Sequence, residues 1–210
     1  MRFVLASSSP ARLETLRRAG IDAEVVVPGV DEDSVSAPSV TSLVSTLARL
    51  KAEAVLNLMD DDPGPFVLVA CDSLLELDGV GHGKPGSMEA AAARWRLMRG
   101  RQGTLHTGHQ VFVRDARGER DGNRVSSTSV QFADLTDAEI DAYAATGEPE
   151  KVAGAFTIDS LGGPFITSIT GDPHGVVGIS LPTARQLLLD LGVPWHTLWR
   201  PGTVSTDQMG

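Results

Sequence analysis

Residues 2–20 read RFVLASSSPARLETLRRAG, and the order of chemistry in this stretch decides the fold class. Phe3 to Ala6 form an apolar run of strand length, whereas ARLETLRRA places Leu13, Leu16 and Ala19 on one helical face with Gly20 as the stop. Ser9 is the expected N-cap and Pro10 the first helical residue. A strand that runs through SSSP into a helix presents hydroxyls and backbone amides at a helix N-terminus, a natural seat for phosphate oxygens. Arg12, one turn in, would add a fork of donors to the same anion. The plainer reading of the same residues is that Ser9 caps its helix while Ser7, Ser8 and Arg12 are solvated.

Outward from there the chain alternates strands and helices. AEVVV is a second strand, leading to Pro28 and the acidic VDED; a long helix is expected over 42–59, with Leu43, Leu47, Leu50, Ala54 and Leu58 as its apolar stripe and Lys51 on its edge. DDDPGP ends it. FVLVA, 66–70, is a buried strand leading into Cys71, Asp72 and Ser73, and LLELDGVGHGKPG suggests a hairpin at Asp78 and Gly79 followed by a loop. Ser87 caps a helix running to Arg99. Strands near 105–114 and 124–133 flank the polar RGERDGN, read as a turn, and Thr136 with Glu139 forms a capping box for a helix ended by Gly147. A glycine-rich stretch, then a helix near 183–191, complete an α/β fold with a mixed sheet covered by helices.

The 210 residues, 41% of them hydrophobic, suit a single domain over 1–200, with PGTVSTDQMG, 201–210, as a disordered tail. A formal net charge of −9 argues against binding duplex nucleic acid or an anionic membrane. A negatively charged ligand then requires a local basic pocket helped by a divalent cation. No apolar run approaches a membrane span, and that of Phe3 to Ala6 is shorter than the roughly 7 to 15 residues of a secretion signal, so the expected location is the cytoplasm. Cys71, the single cysteine, excludes an intrachain disulfide. Positive charge comes from 15 arginines and only Lys51, Lys84 and Lys151, so a lysine that survives marks a place for a compact ammonium.

Asp72, at the expected carboxyl end of a buried strand, lies where open α/β sheets place their ligand crevice; alternatively it bonds nearby amides. Lys84 stands on a glycine-flanked loop where backbone approaches a ligand closely. The acids of VDED would ligate magnesium with Asp72 if the fold joins them, or form a solvated loop. His106 and His109, three apart on a strand, face opposite ways and make a poor metal pair. Cys71, beside an acid that raises a thiol pKa, is read as a core thiol. No GxxxxGK[ST] or GxGxxG motif occurs.

Five segments in order, LASSSPAR, ACDS, GKP with the helix and RGRQGTLHTGHQVF after it, GEPEKVAGAFTIDSLGG, and ITGDPHGVVGISLP, resemble the Maf family of nucleoside triphosphate pyrophosphatases over residues 3 to 193. The resemblance implies an elongated α/β fold of two lobes with a central cleft, like that of the ITPases. It also implies metal-dependent hydrolysis of a nucleoside triphosphate to the monophosphate and pyrophosphate. It assigns phosphate binding to Ser7, Ser9, Arg12, Lys51 and Lys84. Glu32 and Asp72 would handle Mg2+ or Mn2+ and the attacking water, with Asp72 the proton acceptor. Lys151 does not fall on the family's KAG lysine, where Val152 stands.

The branch acting on dTTP and UTP has SPRR, ADT and a glutamine where this chain has Ala11, Ser73 and Asp159. The branch acting on methylated GTP has a glutamate at the last position but a glutamine in place of Ser73. Ionised Asp159 only accepts hydrogen bonds and would favour bases offering N–H groups, such as guanine or cytosine. The alternative is a non-catalytic nucleotide-binding regulator of septum formation and cell division, for which the family was named. The sequence leaves open whether the chain forms a homodimer.

Overall fold

The computed structural model describes residues 1–59 and 64–200. The opening stretch folds as expected: β1 (Arg2–Ala6) leads to α1 (Pro10–Arg18), capped by the Ser9 side chain, and Gly20 ends the turn at φ 84°. β2 (Ala23–Val26) follows, then α2 (Val40–Leu58), β3 (Phe66–Leu77), β4 (Val80–His82) and α3 (Met88–Met98). The chain continues with β5 (Gln102–Asp115), β6 (Gly118–Phe132), α4 (Asp137–Ala145), β7 (Ile166–Thr170), α5 (Pro173–Val177) and α6 (Leu181–Asp190). DDDPGP falls largely, and the tail wholly, outside the described residues.

The seven strands form one mixed sheet in the order β2-β1-β3-β5-β6-β7, with β4 also pairing β3. β1 runs parallel to β2 and β3, and the other pairs are antiparallel. The first half of β3 is a continuous apolar run because helices cover both its faces. Val67, Val69 and Cys71 pack with Leu16 of α1 and Leu187 of α6, while Phe66, Leu68 and Ala70 pack under Ala52 and Val55 of α2. The second half alternates: Leu75 and Leu77 enter a core with Trp95 of α3 and Ile140 of α4, whereas Leu74 and Glu76 are half-exposed. No helix of the described residues is long and apolar enough to cross a membrane.

Three sequence expectations need correction. α2 begins two residues earlier, capped reciprocally by Ser39 and Ser42, and its buried stripe is Val40, Val44, Leu47, Lys51 and Val55, with Ala48 and Ala52 beside it. Leu58, assigned to the stripe, is 69% exposed. A helix lying close on a sheet turns its small side chains inward, and α2 does so with Val and Ala, which puts Lys51 in the buried face rather than on its edge. RGERDGN is not a turn: Asp115 pairs with Gly118 across two residues, and the polar run continues as β6, whose outer part is an edge that charge protects. Asp72 is not at a strand's end either, since β3 runs on to Leu77.

The strand that ends near Asp72 is β1, whose Ala6 pairs with Ala70; β4 joins the same edge of β3 only at Leu75. Residues 71–74 therefore have no strand on that edge among the described residues, and a notch opens in the sheet. α2 approaches the sheet through Gly108, where an added Cβ would come 2.2 Å from the Val44 carbonyl oxygen. Gly108→Ala is expected to cost at least about 2 kcal/mol in urea denaturation. Gly29→Ala, with nothing within 4 Å of the new methyl, is expected to leave stability unchanged within about 0.5 kcal/mol.

Candidate active site

Asp72 and Ser73 point to opposite faces of β3, and each brings a different cluster to the notch. On the α2 side, Lys51 is almost fully buried, and its Nζ donates to Asp72 Oδ1 at 2.5 Å and pairs with Glu32 Oε1 at 2.9 Å. Glu32 stands on a single 3-10 turn, Glu32–Ser34, with its side chain 50% exposed. Burial pushes the Asp72 carboxyl above the ordinary aspartate range, and the charge and hydrogen bond of Lys51, with the charge of Arg12, pull it back.

On the α1 side, Arg12 organises the strand–helix turn. Its Nε donates to the Gly178 carbonyl at 2.7 Å, Nη1 to Ser7 Oγ at 3.1 Å and Nη2 to Ser73 Oγ at 3.1 Å. Buried Ser7 also accepts from the Ser9 amide, and Ser9 Oγ accepts from the Arg12 amide. The plainer reading thus describes Ser9, whereas Arg12 and Ser7 form an internal network and only Ser8 is exposed. Thr107 donates its one hydroxyl proton to the Gly175 carbonyl, so Ser73 must donate in the 2.8 Å bond between Ser73 and Thr107. Arg12, Ser73, Thr107 and the α5 backbone form one directed chain of hydrogen bonds.

On the far side of the notch, the chain leaves β4 antiparallel to β3 and so heads back toward Ser73. Lys84 lies there, exposed and without a hydrogen bond or ion pair among the described residues. The Gly83 carbonyl accepts from the Gly154 amide at 3.2 Å and from Arg94 Nη1 at 2.5 Å. Burial holds half-buried Arg94 below the ordinary arginine range.

Asp159 is exposed on a loop that Glu148 ties down. The Glu148 carboxylate accepts from Tyr143 Oη, Thr157 Oγ1, Ser160 Oγ and the amides of Leu161 and Gly162. These donors outweigh its desolvation and keep it below the usual glutamate range. Lys151 is exposed on a separate 3-10 turn.

The fold therefore joins Asp72, Glu32 and Lys51 directly, links Ser7, Ser9, Arg12 and Ser73 in a second cluster, and leaves Lys84 and Asp159 exposed on loops outside both. Thr107, His109, Gly178, Arg94 and Glu148 were given no role in the site from sequence alone, although all five lie within the segments that carry the family resemblance. Cys71 is fully buried, and its thiol is pushed up to about 12, by burial more than by the neighbouring acid. No group of three or more His, Cys, Asp or Glu residues among the described residues is arranged to hold a metal unaided. Asp72 Oδ1 and Glu32 Oε1 both face Lys51 Nζ, which leaves the second oxygen of each carboxylate for a cation. Such a pair suits Mg2+ completed by substrate phosphates, since this ion is commonly bound by one or two carboxylates.

A family model described as Maf-like protein matches residues 2–191. A nucleoside triphosphate pyrophosphatase of Cutibacterium acnes is 52% identical over 200 residues, covering 94% of this chain and 94% of its own. That of Streptomyces avermitilis is also 52% identical over 200 residues, covering 95% of each chain. The solved structure of the Staphylococcus aureus Ham1 protein aligns over 95% of this chain and 94% of its own, at 13% identity and a TM-score of 0.42, too distant to bear on the reading.

His109 backs the Arg12 cluster. Fully buried, it accepts the Ser180 amide on Nε2 at 2.8 Å, so that nitrogen carries no proton. Burial first, and the charge of Arg12 second, lower its pKa from 6.5 to about 4. The unfolded chain takes up this proton near pH 6.5 and the folded chain only near pH 4, so stability falls as pH drops through that window, by about 3 kcal/mol for this group. In urea titrations between pH 7 and pH 4, His109→Gln, which can still accept at the Nε2 position, is expected to lose stability less steeply than the unmutated chain.

Proposed function

The chain belongs to the Maf-like protein family, and from that premise we infer that it hydrolyses a nucleoside triphosphate to the nucleoside monophosphate and pyrophosphate. Relatives bearing that activity in their names, half identical over nearly their whole length, support the reading. The observation that carries it for this chain is the Lys51 ammonium set between Asp72 and Glu32, with Arg12 on the other side of the same strand edge.

Asp72 is the general base. Lys51 opposes the upward shift that burial imposes on this carboxyl and fixes Oδ1, so the carboxylate can take the proton of a water attacking the α-phosphorus. A P–O bond forms to that water, the α–β bridging bond breaks, and pyrophosphate leaves. Asp72 and Glu32 would hold Mg2+ or Mn2+ against the phosphate oxygens. Such an ion supplies charge neutralisation on the leaving pyrophosphate and a more acidic water. Arg12 and Lys84 bind phosphate oxygens, Arg12 as a planar fork and Lys84 as a point charge on a close-approaching loop. Ser7 and Ser9 orient Arg12 and the turn below it. Asp159, held out by the Glu148 knot, reads the base.

Pyrophosphate release from purified protein with magnesium tests the reading, and a chelator is expected to abolish it. Asp72→Asn is expected to lower turnover by about 10²- to 10⁴-fold, and to lower the folding midpoint as well, because the buried Lys51 ammonium keeps only the half-exposed Glu32 as counter-ion. Lys84→Ala is expected to reduce turnover strongly and Lys151→Ala to leave it unchanged. Nucleotide binding with no product would favour the regulator instead. In a nucleotide panel, GTP and CTP are expected to be turned over faster than dTTP and UTP, and the reverse order would remove Asp159 from base selection.

A further inference from the structure

Arginine in this chain is commonly answered by carboxylate: Arg96 by Asp141, Arg101 by Asp78, Arg120 by Asp115 and Arg124 by Asp190. Two half-buried guanidiniums depart from that habit. Arg12 donates to a glycine carbonyl and two serines, and Arg94 to the Gly83 carbonyl, and among the described residues no carboxylate forms an ion pair with either. A charge withdrawn from water without a counter-ion is costly, and an anionic ligand supplies one.

Both groups border the same free edge of β3. Arg12 Nη2 reaches Ser73 Oγ at 3.1 Å; a Cβ on Gly83 would lie 3.4 Å from Leu74 Cδ2, and the Gly83 carbonyl holds Arg94. Lys84 follows Gly83 directly. Leu74 is two residues beyond Asp72, about 7 Å along the strand, which reaches past an α-phosphoryl group placed at Asp72. One Arg94 N–H is spent on Gly83, leaving four, enough for two phosphate oxygens.

We propose that Arg94 and Lys84 form the second cationic wall of the notch and bind the part of the substrate that leaves as pyrophosphate, across from Arg12. The proposal rests on the pyrophosphatase reading and adds to it Arg94, a residue of the helix after GKP that was given no role from sequence alone. Calorimetric titration of the full chain with pyrophosphate and with a nucleoside monophosphate, magnesium present in both, tests it. Arg94→Ala is expected to weaken pyrophosphate binding at least about tenfold and to change monophosphate binding less than about twofold, and Arg94→Lys to recover part of the loss. Unchanged pyrophosphate affinity would overturn the proposal. So would equal weakening of both ligands with a lowered folding midpoint, the result expected if Arg94 merely staples Gly83 to α3. If the unmutated chain shows no turnover while Arg94-dependent pyrophosphate binding persists, the enzymatic reading fails and the anion site stands.

Discussion

One buried ammonium holds the site together. The side chains of Lys51 and Asp72 are 9% and 7% exposed, and either alone would leave an uncompensated charge beside the sheet. The desolvation of the pair is offset only because Nζ reaches two carboxylates at once. A lysine suits this position, since a compact ammonium fits under a closely packed helix where a planar guanidinium would not. The approach of α2 is set in turn by Gly108 and by the small side chains it lays on the strands. Packing and chemistry here are one constraint: anything that lifts α2 separates Lys51 from Asp72.

The opposite faces of β3 serve one site only because its neighbouring strand stops short. Asp72 belongs to the α2 side and Ser73 to the α1 side, and a complete sheet would keep them apart. Where β1 ends and β4 has not begun, the edge is open, and both residues border the same gap. Sequence reasoning placed Asp72 in a crevice for the wrong reason, taking its own strand to end there.

Features written in local chemistry were legible. Ser9, Ser87 and Thr136 cap their helices as hydroxyls before helical runs do, and the Asp78–Gly79 turn adopts the positive φ angles its residues favour. The phase of α2 was only partly legible: Leu47 lies in the buried face as expected, but Leu58 is exposed and Leu43 and Leu50 are half-buried, because valine and alanine were needed for close approach. β7 lay hidden in a glycine-rich stretch with little apolar alternation. The groups supporting the site were harder still: Arg12 meets Gly178 across 166 residues, and Thr107 meets Gly175 across 68. Such pairings follow from topology, and no short window of sequence contains them.

The ladder between β3 and β5 runs without interruption from Phe66 opposite Arg114 to Glu76 opposite Thr104, passing all three cores and the notch. A sharp hinge between the two halves would have to break these hydrogen bonds, so the ladder resists it. Enclosing a substrate therefore falls to the segments hung on the frame: the acidic turn bearing Glu32, the glycine-flanked loop of Lys84 and the loop of Asp159.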